Sequence, residues 1–236
     1  MQHRPLVFII LLSTVASLVF GLSARKPTPE EQKAIDKCER TMIPILNQFR
    51  GPDWQEKIDI TFHEPMIAPD TVRPMTVGGM FQRTYDVKPT SKRYKTLIAP
   101  RLKKVSEEKD SEKSQLMKAL TEDLMHVRVQ VYINSTGVKL PGGPTEMTDL
   151  LVPGAAFAYK IRDNPFSYGT SYVLGFGNWK KATWFPGTNM YGFKFMHAPG
   201  TPFIENVEIH IYGADDRIQQ LLHTVTWNKV NDALTP

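Results

Sequence analysis

The chain has a single cysteine, Cys38, among its 236 residues. One thiol cannot form an intrachain disulfide, so the fold must be stable without one, which a chain of this length allows. Ile35, Cys38 and Met42 recur at helical spacing and predict one apolar helix face. We therefore interpret Cys38 as a small buried residue rather than as a reactive or intermolecular thiol.

Signatures of catalysis are also missing. His63-Glu64 is not followed by a second histidine at zinc-protease spacing, and the chain has neither a Gly-x-Ser-x-Gly elbow nor a phosphate-binding P-loop. Gly175-Phe176-Gly177 begins like a dinucleotide-binding fingerprint but lacks the third glycine, so a turn at a strand is the favoured interpretation. The motifs therefore predict no catalytic residue and no cofactor.

The chain has only a small excess of positive charge. The net charge is +5, and the basic residues are dispersed instead of forming a stripe with interleaved aromatics, so we predict no nucleic-acid partner. One basic segment is interpreted mainly as a solvated connection. The alternative is an anion-binding patch formed by Lys92, Arg93, Lys95, Arg101, Lys103 and Lys104.

Residues 1–24 contain a nearly unbroken apolar run from Leu6 to Val19. Arg4 is followed by no charge before Arg25, and small residues at Gly21, Ser23 and Ala24 offer cleavage positions. This pattern predicts a cleaved signal peptide, with a retained membrane anchor through residues 6–22 as the alternative. We expect an exported domain, periplasmic or extracellular, without a lipoprotein anchor, because the only cysteine lies well beyond this segment.

The rest of the chain predicts an α+β fold. The 18 prolines argue against a helical bundle, and Thr28-Pro29-Glu30-Glu31 has the form of a capping box that opens a helix. We expect Pro44 to kink this helix or end it near Thr41. A short helix is expected over 111–125, a helical turn over 145–151, and a closing helix that starts at residues 213–216.

Alternating apolar residues predict a sheet of about six to seven strands, antiparallel or mixed, flanked by two or three helices. The clearest strand begins at His126, where Val127, Val129, Val131 and Ile133 face one way. We assign residues 25–236 to one domain with a charged connection near 101–113. The expected strands cover residues 57–62, 75–87, 126–134, 155–161, 171–176, 190–196 and 205–212, and a further short strand over 182–185 is left open.

Ten of the 24 aromatic residues lie between Pro165 and Phe195. Most of them alternate within strands, which is typical of core residues. Trp179 and Trp184 instead flank two lysines in a segment with turn character and could stack on a sugar ring, a base or an apolar residue of a partner. The predicted ligand-binding residues are Trp179, Trp184, Tyr168, Tyr172, Asn178, Lys180 and Lys181.

A metal site is the weaker interpretation of the scattered histidines. If the strands that start at His126 and Glu205 were neighbours, His126, Glu208 and His210 could share the outward face. We favour ordinary solvent-facing residues and predict no metal. Asn134-Ser135-Thr136 also fits the N-glycosylation pattern, which matters only in a eukaryote.

Three functions remain open from the sequence. The first is a non-enzymatic, exported or membrane-tethered envelope domain that binds an unknown ligand or envelope protein. Its binding surface would be the segment with turn character over 178–185, which carries Trp179 and Trp184 and which we call the aromatic turn. The second is an exported hydrolase with an acid/base pair among Asp163, Glu205 and Glu208. The third is a structural module whose aromatic stretch is entirely core.

Overall fold

The computed structural model describes residues 28–57, 79–107, 112–113, 116–117, 124–135, 137–141, 147–162, 171–181, 190–194 and 204–234. The predicted signal or anchor segment lies outside these ranges. Within them, no helix is both long enough and apolar enough to cross a membrane.

Helix α1 (Pro29–Asn47) begins as its sequence predicts. The Thr28 hydroxyl accepts the Glu31 N–H at 3.3 Å, and the Glu31 carboxylate accepts the Thr28 N–H at 2.6 Å, which completes the capping box. Cys38 faces the core and is fully buried, and this burial raises the pKa of its thiol to about 12. The thiol is therefore protonated and enclosed, as expected of a structural cysteine.

The alternative that Pro44 ends this helix near Thr41 is wrong, because α1 continues to Asn47. The expected kink stays a prediction. Proline removes one backbone hydrogen bond, but Ile45 and Leu46 just beyond it are buried. The exposed Pro44 faces away from the core, and the N–H of Gln48 closes the helix on the carbonyl groups of Ile45 and Leu46. Burial of the last helical turn stabilises the fold by more than the lost backbone hydrogen bond at the proline destabilises it.

Seven strands form one antiparallel sheet, in the order β1-β2-β3-β10-β7-β6-β5. The predicted α+β class is confirmed. The strands are β1 (Trp54–Lys57), β2 (Gly79–Val87), β3 (His126–Ile133), β5 (Met147–Asp149), β6 (Phe157–Ile161), β7 (Ser171–Gly177) and β10 (Asn206–Gly213).

A second antiparallel sheet has the order β4-β9-β8, with β4 (Gly137–Pro141), β8 (Lys180–Lys181) and β9 (Met190–Lys194). Val138 of β4 packs on Phe157, Ile161 and Val173 of the large sheet. The small sheet therefore covers the β6–β7 end of one face of the large sheet.

The remaining helices lie between β2 and β3 and after β10. A π-helical turn (Tyr94–Ile98) leads into α2 (Ala99–Glu107), while α3 (Asp215–Thr224) and a 3-10 helix (Trp227–Ala233) close the chain. The first residues of the charged connection, 101–107, thus belong to a helix. Residues 112–113 and 116–117 are helical, and the rest of the helix expected over 111–125 is mostly outside the described residues.

Two other expectations differ from the structure. The first strand starts at Trp54 rather than at residue 57, and residues 58–62 lie outside the described ranges. The helical turn expected over 145–151 is wrong, because β5 pairs there with β6, Met147 opposite Ile161 and Asp149 opposite Tyr159. Pairing with a distant strand decided the conformation, and such pairing leaves no local pattern in the sequence.

The large sheet has two unlike faces. One, the helix-covered face, packs against α1, α3 and the 3-10 helix. Phe49 stacks on Tyr85 with ring centroids 5.2 Å apart and meets Trp227 edge-on at 5.9 Å. Val127, Val129 and Val131 of β3 are at most 1% exposed on this face. The side chains between them point to the opposite face.

Candidate functional site

The opposite face carries polar residues along its three adjacent strands β2, β3 and β10. Gln130 lies opposite Gln82 on one side and His210 on the other, while Tyr132 lies opposite Glu208. Because side chains alternate along each strand, these groups share one surface. We call it the polar face and define it by Gln82, Arg128, Gln130, Tyr132, Glu208, His210 and Tyr212.

His210 links two neighbours on β10. Its Nε2 contacts the Glu208 carboxylate, and its Nδ1 lies 2.8 Å from the Tyr212 hydroxyl. Glu208 is only 5% exposed, and a buried carboxylate requires such a partner. With Glu208 ionised, a neutral imidazole donates from Nε2 and accepts the phenol O–H at Nδ1. The arrangement is a chain from Tyr212 through His210 to Glu208.

A second hydrogen-bond chain crosses from β3 to β2. The Tyr132 hydroxyl donates to the Gln130 Oε1 at 3.2 Å, and the Gln130 Nε2 donates to the Gln82 Oε1 at 2.9 Å. Within the described residues, the amide nitrogen of Gln82 and the exposed guanidinium of Arg128 have no acceptor. Both can donate to a ligand.

The two tyrosines remain donors at neutral pH. Burial raises the pKa of Tyr132, and the nearby Glu208 charge raises it further. Burial also raises the pKa of Tyr212 far above its usual range, with the neighbouring Tyr132 and Glu208 adding to the effect. The Tyr132 ring packs edge-on against His210, with centroids 5.3 Å apart. The phenols are therefore fixed, protonated hydrogen-bonding groups and poor nucleophiles.

Trp179 lies beyond the β7 end of this face. Its ring meets Phe157 edge-on at 5.3 Å, and its Nε1 donates to the Phe176 carbonyl at 2.9 Å. The indole is half-buried and part of the apolar cluster under the small sheet. Trp179 is thus partly structural.

The glycines of this region serve packing. A Cβ at Gly175 would lie 2.1 Å from the Phe157 ring, so only glycine lets that ring rest on the strand. Gly177 has a φ of +103°, and a Cβ there would lie 2.4 Å from the Glu205 carbonyl oxygen. Gly175-Phe176-Gly177 is a strand and its end, as the sequence interpretation had it.

The structure separates the predicted ligand-binding residues. Asn178 is exposed next to Trp179, and Lys180 and Lys181 form β8. Tyr172 does not join them, because it is fully buried on the helix-covered face with its hydroxyl bound to Asp215. Tyr168 and Trp184 lie outside the described residues.

The metal interpretation fails on distance, although the register places His126, Glu208 and His210 on one face of the sheet. β3 and β10 are neighbours, but Gln130, not His126, lies opposite His210. His126 is four residues along the strand, about 13 Å away at the usual rise per residue. Its Nδ1 pairs with Asp86 instead. Among the described residues, no cluster of three metal-binding side chains occurs.

The predicted acid/base carboxylates are likewise scattered. Glu205 precedes β10, and its backbone N–H donates to Asn134. Asp163 lies outside the described ranges, and Glu208 contacts His210 rather than a second carboxylate. Sequence reasoning did not select Gln82, Gln130, Tyr132 or Tyr212 as site residues. The alternation in their strands placed Gln130, Tyr132 and Tyr212 on an outward face, but it did not place Gln82, and the sequence did not show which strands were adjacent.

Comparison with protein-family models, curated proteins and solved structures finds no match to this chain. Its function is therefore argued from its own geometry.

Proposed function

We propose that the protein is a non-enzymatic binding module whose ligand, an uncharged and hydroxyl-rich molecule such as an oligosaccharide, lies on the polar face. The observation that carries this proposal is the hydrogen-bond chain that ends at half-buried Gln82 on β2, whose amide nitrogen has no acceptor among the described residues. Sugar hydroxyls both donate and accept, so they complement a surface of amides, phenols and imidazole.

Charge and ring chemistry support the same ligand class. Among the seven residues that define the polar face, Glu208 is engaged by His210 and Arg128 is exposed, and Asp86, further along the same face, is paired with His126. A surface with so little net charge favours a neutral ligand. Tyr132 and Tyr212 add ring surface, and Trp179 lies beyond them on the same side of the sheet. This proposal moves the site from the aromatic turn to the sheet, with the turn at its edge.

Calorimetric titration of the full chain with cellotetraose, chitotetraose and maltotetraose tests the proposal. Removing one hydrogen bond to a neutral group costs about 0.5–1.5 kcal/mol, or about two- to twelvefold in affinity, so Gln82→Ala should weaken binding by that factor. Gln55→Ala on the edge strand β1 is the matched control and should bind like the unchanged protein. Absence of heat with all three sugars, or equal losses in both variants, contradicts the proposal.

A second candidate function is hydrolysis, which the contact of His210 with Glu208 and Tyr212 favours. A carboxylate that orients a histidine, which in turn holds a hydroxyl, has the form of an acid/base relay. Because the pKa of Tyr212 is raised, its phenol would donate a proton rather than attack. Release of nitrophenol from 4-nitrophenyl glycosides or esters, abolished by His210→Gln, would support this candidate. Equal rates in both proteins would eliminate it.

We also propose that the protein is exported, on the evidence of the apolar run in residues 1–24. Mass spectrometry of the protein recovered from its native cells should find an N-terminus close to Ala24 if the signal is cleaved. An intact Met1 in the membrane fraction would support the anchor instead. An intact Met1 in the soluble fraction contradicts both.

A further inference from the structure

A cavity of about 260 Å³ opens on the helix-covered side of the sheet, away from the polar face. Trp54 of β1 forms one wall, the turn that contains Lys92 and Arg93 forms another, and Arg217 in the first turn of α3 closes it. The other four residues of the predicted anion patch do not line it. Three cations from two distant parts of the chain therefore meet at one concave surface.

The two arginines share one aromatic ring. The Arg93 guanidinium carbon lies 5.3 Å from the centroid of Trp54, and that of Arg217 lies 5.8 Å from it. Burial lowers the pKa of Arg217, and the charge of Arg93 lowers it further. Two like charges held this close create a positive potential that an anion would relieve.

Arg93 is anchored by a carboxylate and Arg217 is not. Asp216 accepts from both terminal nitrogens of Arg93, which fixes that guanidinium in place. Arg217 donates to the carbonyl oxygens of Phe49 at 2.8 Å and Arg50 at 3.3 Å, and to the Gln220 amide oxygen at 2.7 Å. It therefore has neutral acceptors but no ion pair within the described residues.

Donors remain unused around the cavity. Each guanidinium has five N–H groups, and Arg93 and Arg217 each make three hydrogen bonds within the described residues. The Nε–H of each is buried without an acceptor. Lys92 lines the cavity and is exposed, and its ammonium has no hydrogen bond or ion pair with another described residue, so it can fold over the cavity mouth. The carboxylates of Asp53 and Asp216 offset two of the three positive charges and leave an excess of one.

We propose that this cavity binds a small oxyanion of the phosphate class, either free phosphate or a phosphate monoester, through Lys92, Arg93 and Arg217. A carboxylate already occupies the fork of Arg93, whereas a tetrahedral oxyanion presents several oxygens to donors that converge from different directions. The volume accommodates a phosphate group with a short substituent. This site is independent of the sugar site on the polar face.

The test follows the Arg93 and Arg217 Nε–H resonances of the ¹⁵N-labelled full chain. Inorganic phosphate and glycerol 3-phosphate are titrated separately against sodium chloride of equal ionic strength. We expect saturable shifts of both resonances with at least one phosphate compound. The compound that binds more tightly identifies whether the ligand is free phosphate or a phosphate monoester. Shifts that follow the chloride control overturn the proposal.

Lys92→Gln and Lys95→Gln form a matched pair. Both lysines are exposed, Lys92 two residues before the π-helical turn and Lys95 within it, but only Lys92 lines the cavity. We expect Lys92→Gln to weaken the phosphate affinity about tenfold and Lys95→Gln to change it less than about twofold. Neither side chain supports the fold, so the backbone amide spectra should remain unchanged. Equal affinities in the two variants would overturn the assignment.

Discussion

Asn134 joins the ends of β3 and β10. It has a left-handed backbone with a φ of 53°, and its Oδ1 accepts the N–H groups of Glu205 at 2.7 Å and Asn206 at 3.2 Å. The residue is 5% exposed. Although Asn134-Ser135-Thr136 fits the glycosylation pattern, the Asn134 side chain is buried and hydrogen-bonded in the folded protein.

Replacing Asn134 should therefore destabilise the protein. Asn134→Ala loses the acceptor for two backbone donors and adds the strain of a left-handed alanine, so we expect a loss of about 2–4 kcal/mol. Asn134→Gly loses the acceptor but not the backbone freedom and should cost about 1 kcal/mol less. Urea unfolding measures both. Equal costs would show that the left-handed backbone is not strained.

Asp216 contributes a pH-dependent term to stability. The hydrogen bond from Arg93 is the main cause that lowers the pKa of this carboxyl below its ordinary value. A carboxyl whose folded pKa is lowered stabilises the fold above its unfolded pKa, about 3.9, and this contribution disappears as the pH falls through the lower folded value.

Asp216→Asn should consequently unfold more easily at pH 7, by less than about 1 kcal/mol because the carboxylate is largely exposed to solvent. The difference from the unchanged protein should shrink as the pH falls below the unfolded pKa, about 3.9, and disappear once the pH is below the lowered folded pKa. Thermal unfolding across this range measures it. A deficit that stays constant with pH would mean that the Arg93 contact does not stabilise the ionised form.

At the scale of elements, Pro44 remains an internal defect of α1. The residue is exposed and removes one backbone hydrogen bond from the helix. Pro44→Ala should stabilise the protein by about 1–2 kcal/mol, because the gain in helix propensity exceeds the loss of the rigidity that proline gives the unfolded chain. Urea unfolding tests this, with Pro89→Ala in an exposed turn as the control. A destabilised Pro44→Ala variant would contradict this explanation.

Elements with a strong local pattern were predictable. The capping box at Thr28 set the start of α1, and the alternation of Val127, Val129 and Val131 defined β3. Elements decided by distant contacts were not. β5 forms because Met147 pairs with Ile161, and α1 passes Pro44 because Leu46 is buried in the core. In both cases tertiary contacts outweighed the conformation that the local sequence favours.

The candidate site was harder to predict for the same reason. The sequence placed Gln130 and His210 on outward faces, but only the register of β2, β3 and β10 brings them beside Gln82. Register depends on long-range pairing that single-sequence patterns do not contain. Residues 165–195 were singled out by their aromatic composition, whereas Tyr172 among them belongs to the core.

At the scale of the whole molecule, the two faces of the large sheet have different roles: the helix-covered face stabilises the fold, and the polar face is the proposed binding surface. Gln130 and Val131 are neighbours in β3 that face opposite ways. Val131→Ala should lower the stability by about 2 kcal/mol, because it empties part of the core, and leave sugar affinity unchanged under folding conditions. Gln130→Ala should weaken the sugar affinity and leave the stability unchanged. Unfolding and calorimetric titration measure the pair, and loss of affinity in Val131→Ala alone would contradict this division.

The side-chain amide resonances of Gln82 and Gln130 test the central claim, that the polar face binds a hydroxyl-rich ligand, most directly. During titration of the labelled full chain with the oligosaccharides, we predict saturable shifts of these two amides. The side-chain amide of Gln32, bound to Asp36 on the surface of α1, should remain in place. Unmoved Gln82 and Gln130 amides under every sugar would contradict the claim.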